Sequence, residues 1–189
     1  TVALSGDAGD ELFGGYNRYV YSEKYLKRIL RLPSSFRNSL SYLITILSED
    51  QWDRSAHLIY PNGAKLPQIF GNKVIKFAQT IKGVKSIKDM HYKMASLSTE
   101  PNSLVIDGFE HETIFDNDKD YFKELNSTEK MMGYDLITYL EGDILTKVDR
   151  AAMSVSLETR VPFLDPKVIQ FAASLPLDYK LRNGVSKWV

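Results

Sequence analysis

Cysteine is absent from the 189 residues of the sequence. Its absence excludes a thiol nucleophile, a thiolate zinc site, an iron–sulfur cluster and any disulfide. It is typical of a reducing compartment, and we therefore expect a cytoplasmic protein. Net charge is absent as well, because 24 Lys and Arg residues balance 24 Asp and Glu residues. A balanced charge creates no overall electrostatic field, so we do not expect nucleic acid as a partner. No apolar run approaches the roughly 18 residues of a membrane span, so we do not expect a membrane either.

The composition that remains is that of a globular protein, with 43% hydrophobic and 25% charged residues. The length suits one domain. The sequence opens on an apolar run at residues 1–4 and closes in an ordered-looking stretch at 186–189, whereas natural termini are usually polar. We therefore expect residues 1–189 to be one portion of a longer protein, truncated at both ends.

The residue pattern predicts one short strand followed by many helices. The apolar run at 1–4 meets a cluster of Gly and Asp, which is typical of a buried strand entering a turn. Helices are predicted at 73–97 with a break at Gly83, at 128–153 and at 166–174. One strand cannot form a sheet by itself. We therefore expect the strands that pair with it to lie outside these residues or in a second copy of the chain, as in a homodimer. The predicted class is an α/β parent fold of which this portion is mostly α-helical with one short N-terminal strand.

The densest cluster of chemically useful residues follows the predicted strand, as SGDAGDELFGG at residues 5–15. A glycine-rich loop between a strand and a helix start presents free backbone N–H groups, which suit a phosphate or another anion. Asp7, Asp10 and Glu11 conflict with an anion unless a hard cation such as Mg²⁺ lies between them. The alternative is an acidic helix N-terminus whose Asp side chains act as caps, and the spacing alone leaves both interpretations open.

A second cluster lies at residues 139–165, where charges of both signs are embedded in an apolar stretch. Asp143 and Lys147 are four positions apart, so a helix would bring them together as an ion pair. Charged residues in such surroundings are either paired internally or face a polar ligand. Both interpretations apply to Glu158, Arg160 and Asp165.

Three stretches resemble the synthetase domain of glutamine-dependent asparagine synthetases. They read SGDAGDELFGGYNRY at 5–19, YLEGDILTKVDRAAMSVSLETRVPFLD at 139–165 and ASLPLDYKLRNGVSKWV at 173–189. The resemblance implies an adenine-nucleotide alpha-hydrolase-like fold of the ATP-pyrophosphatase type, with ATP and Mg²⁺ as cofactors. It also implies that ATP adenylates the side-chain carboxylate of aspartate, after which ammonia from a glutaminase domain displaces AMP and forms asparagine. The middle of the chain, residues 30–125, carries no motif of the family.

The resemblance also implies roles for individual residues. Ser5 and Gly6 match positions that contact the nucleotide, and Asp10 matches one that holds Mg²⁺ and pyrophosphate. Asp7 stands where many members carry a Glu associated with proton transfer, so its side chain is one methylene shorter than usual. Lys187 matches the lysine that stabilises charge during adenylation. We predict that Asp7 and Lys187 are catalytic, and that both they and Asp10 line one cleft.

Three further positions, Glu158, Arg160 and Asp165, match the stretch that borders the acceptor amino-acid pocket in this family. The sequence contains neither the family's SGGxDS pyrophosphate loop nor the cysteine nucleophile of its glutaminase domain. We therefore expect the 189-residue chain alone to be inactive. Two alternatives stay open: an amidotransferase or β-lactam-synthetase-like enzyme acting on another carboxylate, and a non-catalytic helical interaction module.

Overall fold

A computed structural model describes residues 1–22, 25, 27–59, 69–96, 98, 101–109, 111–116 and 122–189. The chain divides into two compact units. The first, termed the terminal unit, comprises Thr1–Lys27 and Lys119–Val189. The second, termed the middle unit, comprises Arg28–Asp118. Among the described residues, no helix is both long enough and apolar enough to cross a membrane.

The terminal unit contains a parallel pair of strands, β1 (Val2–Leu4) and β2 (Glu158–Arg160). In its register, Val2 faces Glu158 and Leu4 faces Arg160. The expectation that the first strand would find its partner outside these residues was therefore wrong. The triplet Glu-Thr-Arg has no apolar alternation by which a strand is recognised, and its pairing depends on a residue run at the other end of the chain.

A second small sheet was also missed by the prediction of one strand. It is the antiparallel hairpin of β3 (Leu181–Arg182) and β4 (Val185–Ser186). Both residues of its turn, Asn183 and Gly184, have positive φ, at 53° and 81°. Asn-Gly is the preferred sequence for a two-residue hairpin turn of this hand, because Asn and Gly tolerate positive φ best.

Helices make up most of the rest of the terminal unit. They are α1 (Gly9–Phe13), α2 (Asn17–Tyr21), α8 (Ser127–Ile137), a π-helical segment (Leu140–Leu145), α9 (Thr146–Met153), α10 (Pro166–Ser174) and α11 (Leu177–Lys180). A 3₁₀ turn, Pro162–Leu164, precedes α10. The helix predicted at 166–174 is confirmed. The one predicted at 128–153 is divided, because Thr138 leaves helical geometry.

The core of the terminal unit lies around α1. Its buried members are Ala8, Leu12, Leu140 and Ala172, and Phe13 packs against them from the side. Alanines at two of these positions leave room for close approach between the elements that carry them. This packing fixes the loop between β1 and α1, which carries the predicted site residues.

The middle unit is helical in its described part. It contains α3 (Lys27–Leu30, beginning at the end of the terminal unit), α4 (Ser34–Thr45), α5 (Glu49–Ile59), α6 (Phe70–Ile81), α7 (Ile87–Ala95) and a 3₁₀ turn (Pro101–Leu104). The predicted break at Gly83 is confirmed, since α6 ends before it and Ser86 caps α7 in a capping box with Asp89. Ala78, Ile81 and Met90 form part of its buried interior.

Candidate active site

The candidate site begins at the carboxyl end of β1. The Ser5 N–H donates a hydrogen bond of 2.8 Å to the Arg160 carbonyl, which extends the pairing of the two strands by one residue. The Ser5 hydroxyl then donates to the Asp7 carboxylate at 2.5 Å. A Cβ placed on Gly6 would meet no atom within 4 Å, so the backbone here is open to a ligand. In open parallel sheets, ligands bind at this edge.

The loop reaches α1 through an unusual backbone conformation. Ala8 has φ of 66°, in the left-handed region that favours glycine. Ala8 is also buried, so packing holds this conformation against its intrinsic cost. The helix that follows has only five residues, and no side chain caps its N-terminus. Capping by Asp7 or Asp10 is therefore wrong, but the expectation of an acidic helix N-terminus holds, because Asp10 and Glu11 lie in the first turn, where carboxylates complement the helix dipole.

Lys187 meets Asp10 at the centre of the site. The Lys187 Nζ lies 2.8 Å from Asp10 Oδ1, with 51% and 39% of the two side chains exposed. Lys187 directly follows β4 and has φ of 52°, again in the left-handed region. Residues from opposite ends of the chain thus form one ion pair that solvent, and hence a ligand, can reach.

The three residues expected near an acceptor pocket make other contacts. Arg160 forms an ion pair with Glu158 on the same strand, and both side chains are largely exposed. The Asp165 carboxylate accepts a hydrogen bond of 2.8 Å from the Lys167 N–H and so caps α10. No ion pair or hydrogen bond joins any of them to Asp7 within the described residues. The strand pairing nevertheless brings the backbone of Arg160 to the edge of the sheet where Ser5 lies.

The connection after β2 packs against the first loop. A Cβ on Gly9 would lie 3.4 Å from the ring of Phe163, which is ordinary van der Waals contact. Phe163 also meets Phe13 edge-on, with ring centroids 5.8 Å apart. The 3₁₀ turn after β2 is therefore in direct contact with α1, which follows β1.

A buried polar network lies next to the site, and no local pattern in the sequence predicts it. Arg18 contacts both carboxylate oxygens of Asp135, at 3.0 and 2.7 Å, and the Tyr19 hydroxyl donates to the same carboxylate at 2.5 Å. The Tyr16 hydroxyl donates to Glu11 at 2.7 Å. The Arg18 guanidinium lies 4.3 Å from the Tyr16 ring centroid, which joins the two halves of the network.

Burial changes the proton affinity of this network. Glu11 is almost fully buried, and desolvation raises its pKa even though the hydrogen bond from Tyr16 acts in the opposite direction. Desolvation, followed by the Glu11 contact, likewise raises the pKa of Tyr16, so its hydroxyl stays protonated and remains a donor. For Arg18, burial alone would lower the pKa, but the charge of Asp135 and the adjoining groups outweigh it, and the pKa is raised.

The donor set fits a magnesium ion that is bound together with phosphates. No group of three or more His, Asp or Glu side chains is arranged to hold a metal ion in the described part of the chain. A Mg²⁺ ion that accompanies a polyphosphate needs only one or two carboxylates from the protein, because phosphate oxygens and water complete its coordination. Asp10, whose side chain is partly exposed in the first turn of α1, is available for this, with Asp7 on the loop just before it.

A separate cavity of about 400 Å³ lies along the C-terminal hairpin. It is lined by Asp178, Tyr179, Leu181, Arg182 and Asn183. None of the site residues predicted from the sequence lines it. The candidate active site is therefore defined by the loop contacts described above and not by this cavity.

Comparison with known proteins assigns the chain to a family. The asparagine synthase family matches residues 1–189, and the chain belongs to that family. Asparagine synthetase (glutamine-hydrolyzing) 1 of Bacillus subtilis (strain 168) is 34% identical over 193 residues, covering 100% of this chain and 27% of its own length. Putative glutamine-hydrolyzing asparagine synthetases of Mycobacterium bovis and Mycobacterium tuberculosis are 32% identical, covering 99% of the chain and 26% of their own length. The chain thus spans about a quarter of these relatives. No solved structure matches it significantly.

Proposed function

We propose that the chain forms part of the synthetase site of a glutamine-hydrolysing asparagine synthetase. The complete protein would convert aspartate, ATP and glutamine to asparagine, AMP, pyrophosphate and glutamate through β-aspartyl-AMP. The observation that carries the proposal is the contact between Lys187 and Asp10, because it joins a cation and a carboxylate that solvent can reach in the first turn of α1, shortly after the open backbone of Gly6. Family membership over the whole chain supports the same reaction.

In the adenylation step, the aspartate side-chain carboxylate would attack the α-phosphorus of ATP, and pyrophosphate would leave. Ser5 and Gly6 would hold the nucleotide through the exposed start of the loop. Asp10 would hold Mg²⁺, which supplies charge neutralisation for the polyphosphate when it is bound. Lys187 would then turn from Asp10 towards the oxygens on which negative charge accumulates.

In the second step, ammonia would attack the acyl carbon of the adenylate, AMP would leave with the C–O bond electrons, and a proton would be lost from nitrogen. Asp7 is our candidate for the proton acceptor, because its carboxylate lies on the same loop and is only partly buried. The hydroxyl of Ser5 donates a hydrogen bond to this carboxylate. The side chain of Asp is shorter than that of Glu, so the substrate would have to lie closer to the loop.

The acceptor amino acid would lie beside the end of β2. Arg160 and Glu158 are exposed charges of opposite sign, which suits a zwitterion if their mutual ion pair opens. Asp165 is engaged as a helix cap, so we propose for it a role in shaping this edge. Ammonia would come from a glutaminase domain, whose catalytic cysteine is not among these 189 residues.

The test uses the complete protein in which residues 1–189 occur. Asp10→Asn and Lys187→Met should each lower aspartate- and ATP-dependent pyrophosphate release by about 10²–10³-fold, the usual effect of removing one group that stabilises developing charge. Lys147→Met is the matched control, because Lys147 also forms an exposed ion pair, with Asp143, in another part of the chain. Rates unchanged by the first two substitutions would reject the proposed roles.

The same assay separates the alternative enzymes. Pyrophosphate release that requires aspartate supports the synthetase, whereas release with a different carboxylic acid and not with aspartate identifies another acceptor. A non-catalytic module would release none with any acid tested. We also expect the 189-residue chain by itself to release no pyrophosphate, and measurable release from the pure chain would contradict that expectation.

A further inference from the structure

We propose that Gly15 is a positioning residue, whose missing side chain reserves the space in which Lys187 meets Asp10. The inference rests on the proposed function only in the statement that this ion pair serves catalysis. The spatial part rests on the contacts of Gly15 itself. A Cβ placed there would overlap a carboxylate oxygen of Asp10 and the Cε of Lys187, and would lie 2.7 Å from the Asp10 Cγ.

The requirement for glycine at this position is one of space and not of backbone conformation. Gly14 has φ of 72°, which favours glycine, but Gly15 is not in the left-handed region. An alanine at Gly15 is therefore acceptable to the backbone. The atoms that it would displace are the ends of two flexible, half-exposed side chains. The fold should consequently tolerate the substitution, and the ion pair should not.

The turn cannot easily move away to make room for a methyl group. The Gly15 N–H donates to the Asp10 carbonyl at 2.8 Å. The next residue, Tyr16, is held by its hydrogen bond to the buried Glu11 and by the overlying Arg18 guanidinium. Because the backbone of Gly15 and the side chain of Tyr16 are both held in place, an added methyl group would displace the side chains of Asp10 and Lys187.

The hairpin that carries Lys187 is also fixed against this turn. A Cβ on Gly14 would lie 3.1 Å from the buried side chain of Leu181 in β3. The Trp188 N–H donates to the Lys180 carbonyl at 3.1 Å. The two glycines therefore contact the hairpin region in different ways. Gly14 packs against the side chain of Leu181, and Gly15 leaves room for the side chain of Lys187.

The first experiment measures the ion pair without reference to activity. We would follow the rate at which an amine-reactive reagent modifies Lys187 in the 189-residue chain, by mass spectrometry of its peptides. Gly15→Ala should raise the rate at Lys187 several-fold and leave the rate at Lys147 unchanged. Gly142→Ala is the control, since a Cβ there meets no atom within 4 Å. An unchanged rate at Lys187 in a folded Gly15→Ala chain overturns the inference.

A double variant, Gly15→Ala with Asp10→Ala, tests whether Gly15 acts through the ion pair. If Gly15 acts through the ion pair, Gly15→Ala should add little to the modification rate in an Asp10→Ala background, where the carboxylate nearest to the added methyl group is gone and Lys187 has already lost its partner. If Gly15→Ala alone does not fold, the double variant should recover folding, and continued loss of structure in it would contradict the inference.

Activity then separates the inference from the proposed function. In the complete protein, Gly15→Ala should lower kcat for pyrophosphate release by about tenfold or more, and Gly142→Ala should not. Faster modification of Lys187 together with full activity would leave the spatial inference standing and reject the catalytic role of the ion pair. Loss of activity with no change at Lys187 would reject the inference.

Discussion

Asp135 is a fully buried carboxylate that receives donors from two residues of α2. Arg18 reaches both of its oxygens, and Tyr19 donates to one of them. A buried charge of this kind is tolerated because its partner and its hydrogen bonds replace the water that it has lost. If one partner is removed, the other charge stays buried without compensation.

We therefore predict that Asp135→Asn destabilises the chain by about 3–5 kcal/mol, the usual cost of breaking a buried pair from one side. Urea unfolding at neutral pH would measure it. The matched control is Asp143→Asn, which removes the carboxylate of the exposed pair with Lys147 and should cause no measurable loss. Equal effects of the two substitutions would show that burial of Asp135 carries no energetic weight.

Glu11 gives a pH-dependent prediction. Its folded-state pKa is raised above the ordinary value of 4.5, so the folded chain holds this proton more tightly than the unfolded chain. The corresponding stability is fully present below pH 4.5 and is lost as pH rises through the raised pKa. Glu11→Gln should therefore gain stability relative to the natural chain as pH increases above about 4.5.

Unfolding midpoints measured at several pH values from 4 to 7 would test the Glu11 prediction. Tyr16→Phe is the companion variant, because it removes the hydrogen bond that holds the pKa of Glu11 down. The Tyr16→Phe chain should lose stability more steeply than the natural chain as pH rises. A Glu11→Gln chain whose stability parallels the natural chain at every pH would contradict the assignment.

Single residues differ in how far the sequence revealed them. Lys187 and Asp10 lie in stretches that resemble the family, and this resemblance predicted that they line one cleft. In the structure their side chains are in contact. Arg18 also stands in a motif, but nothing near Asp135 identifies it as the partner. A buried pair is a property of two distant positions in the folded chain, and local residue patterns do not encode it.

The β3–β4 hairpin is the element on which the position of Lys187 depends. A Cβ on Gly184 would meet no atom, so the cost of Gly184→Ala comes only from its φ of 81°. We predict a loss of about 1–2 kcal/mol, the cost of placing an L-residue in the left-handed region. Thermal unfolding would measure the loss, with Gly142→Ala as a control that lacks the positive φ.

The hairpin prediction has a second, local readout. The rate of amine modification at Lys187 should rise in the Gly184→Ala chain, because Lys187 follows β4 directly. An unchanged rate combined with the full loss of stability would mean that the contact with Asp10, and not the turn, holds the lysine in place.

Among the elements, those with local signals were predictable. Pro166 at the start of α10 and Gly83 between α6 and α7 mark boundaries that the structure confirms. The hairpin has an Asn-Gly signal at residues 183–184, which a search for turn sequences would have found. The strand β2 has no such signal, because three polar residues become a strand only by pairing with β1.

The chain divides into two compact units, and each carries one tryptophan, Trp52 in the middle unit and Trp188 in the terminal unit. We predict that chemical unfolding followed in Trp52→Phe and Trp188→Phe chains gives two different midpoints, because separate cores unfold separately. Circular dichroism of both chains should show the two transitions together. Coincident midpoints would instead identify one cooperative unit.

The parallel pairing of β1 and β2 has a consequence for the order of folding. β1 is the first strand of the chain, but its partner lies near the other end, and Lys187 follows later still. Closing such a long loop is slow, and its entropic cost precedes the contacts that compensate it. During synthesis, Asp10 therefore has no ion-pair partner until the residues that separate it from Lys187 have been made. We expect the ion pair between Lys187 and Asp10 to form among the last contacts.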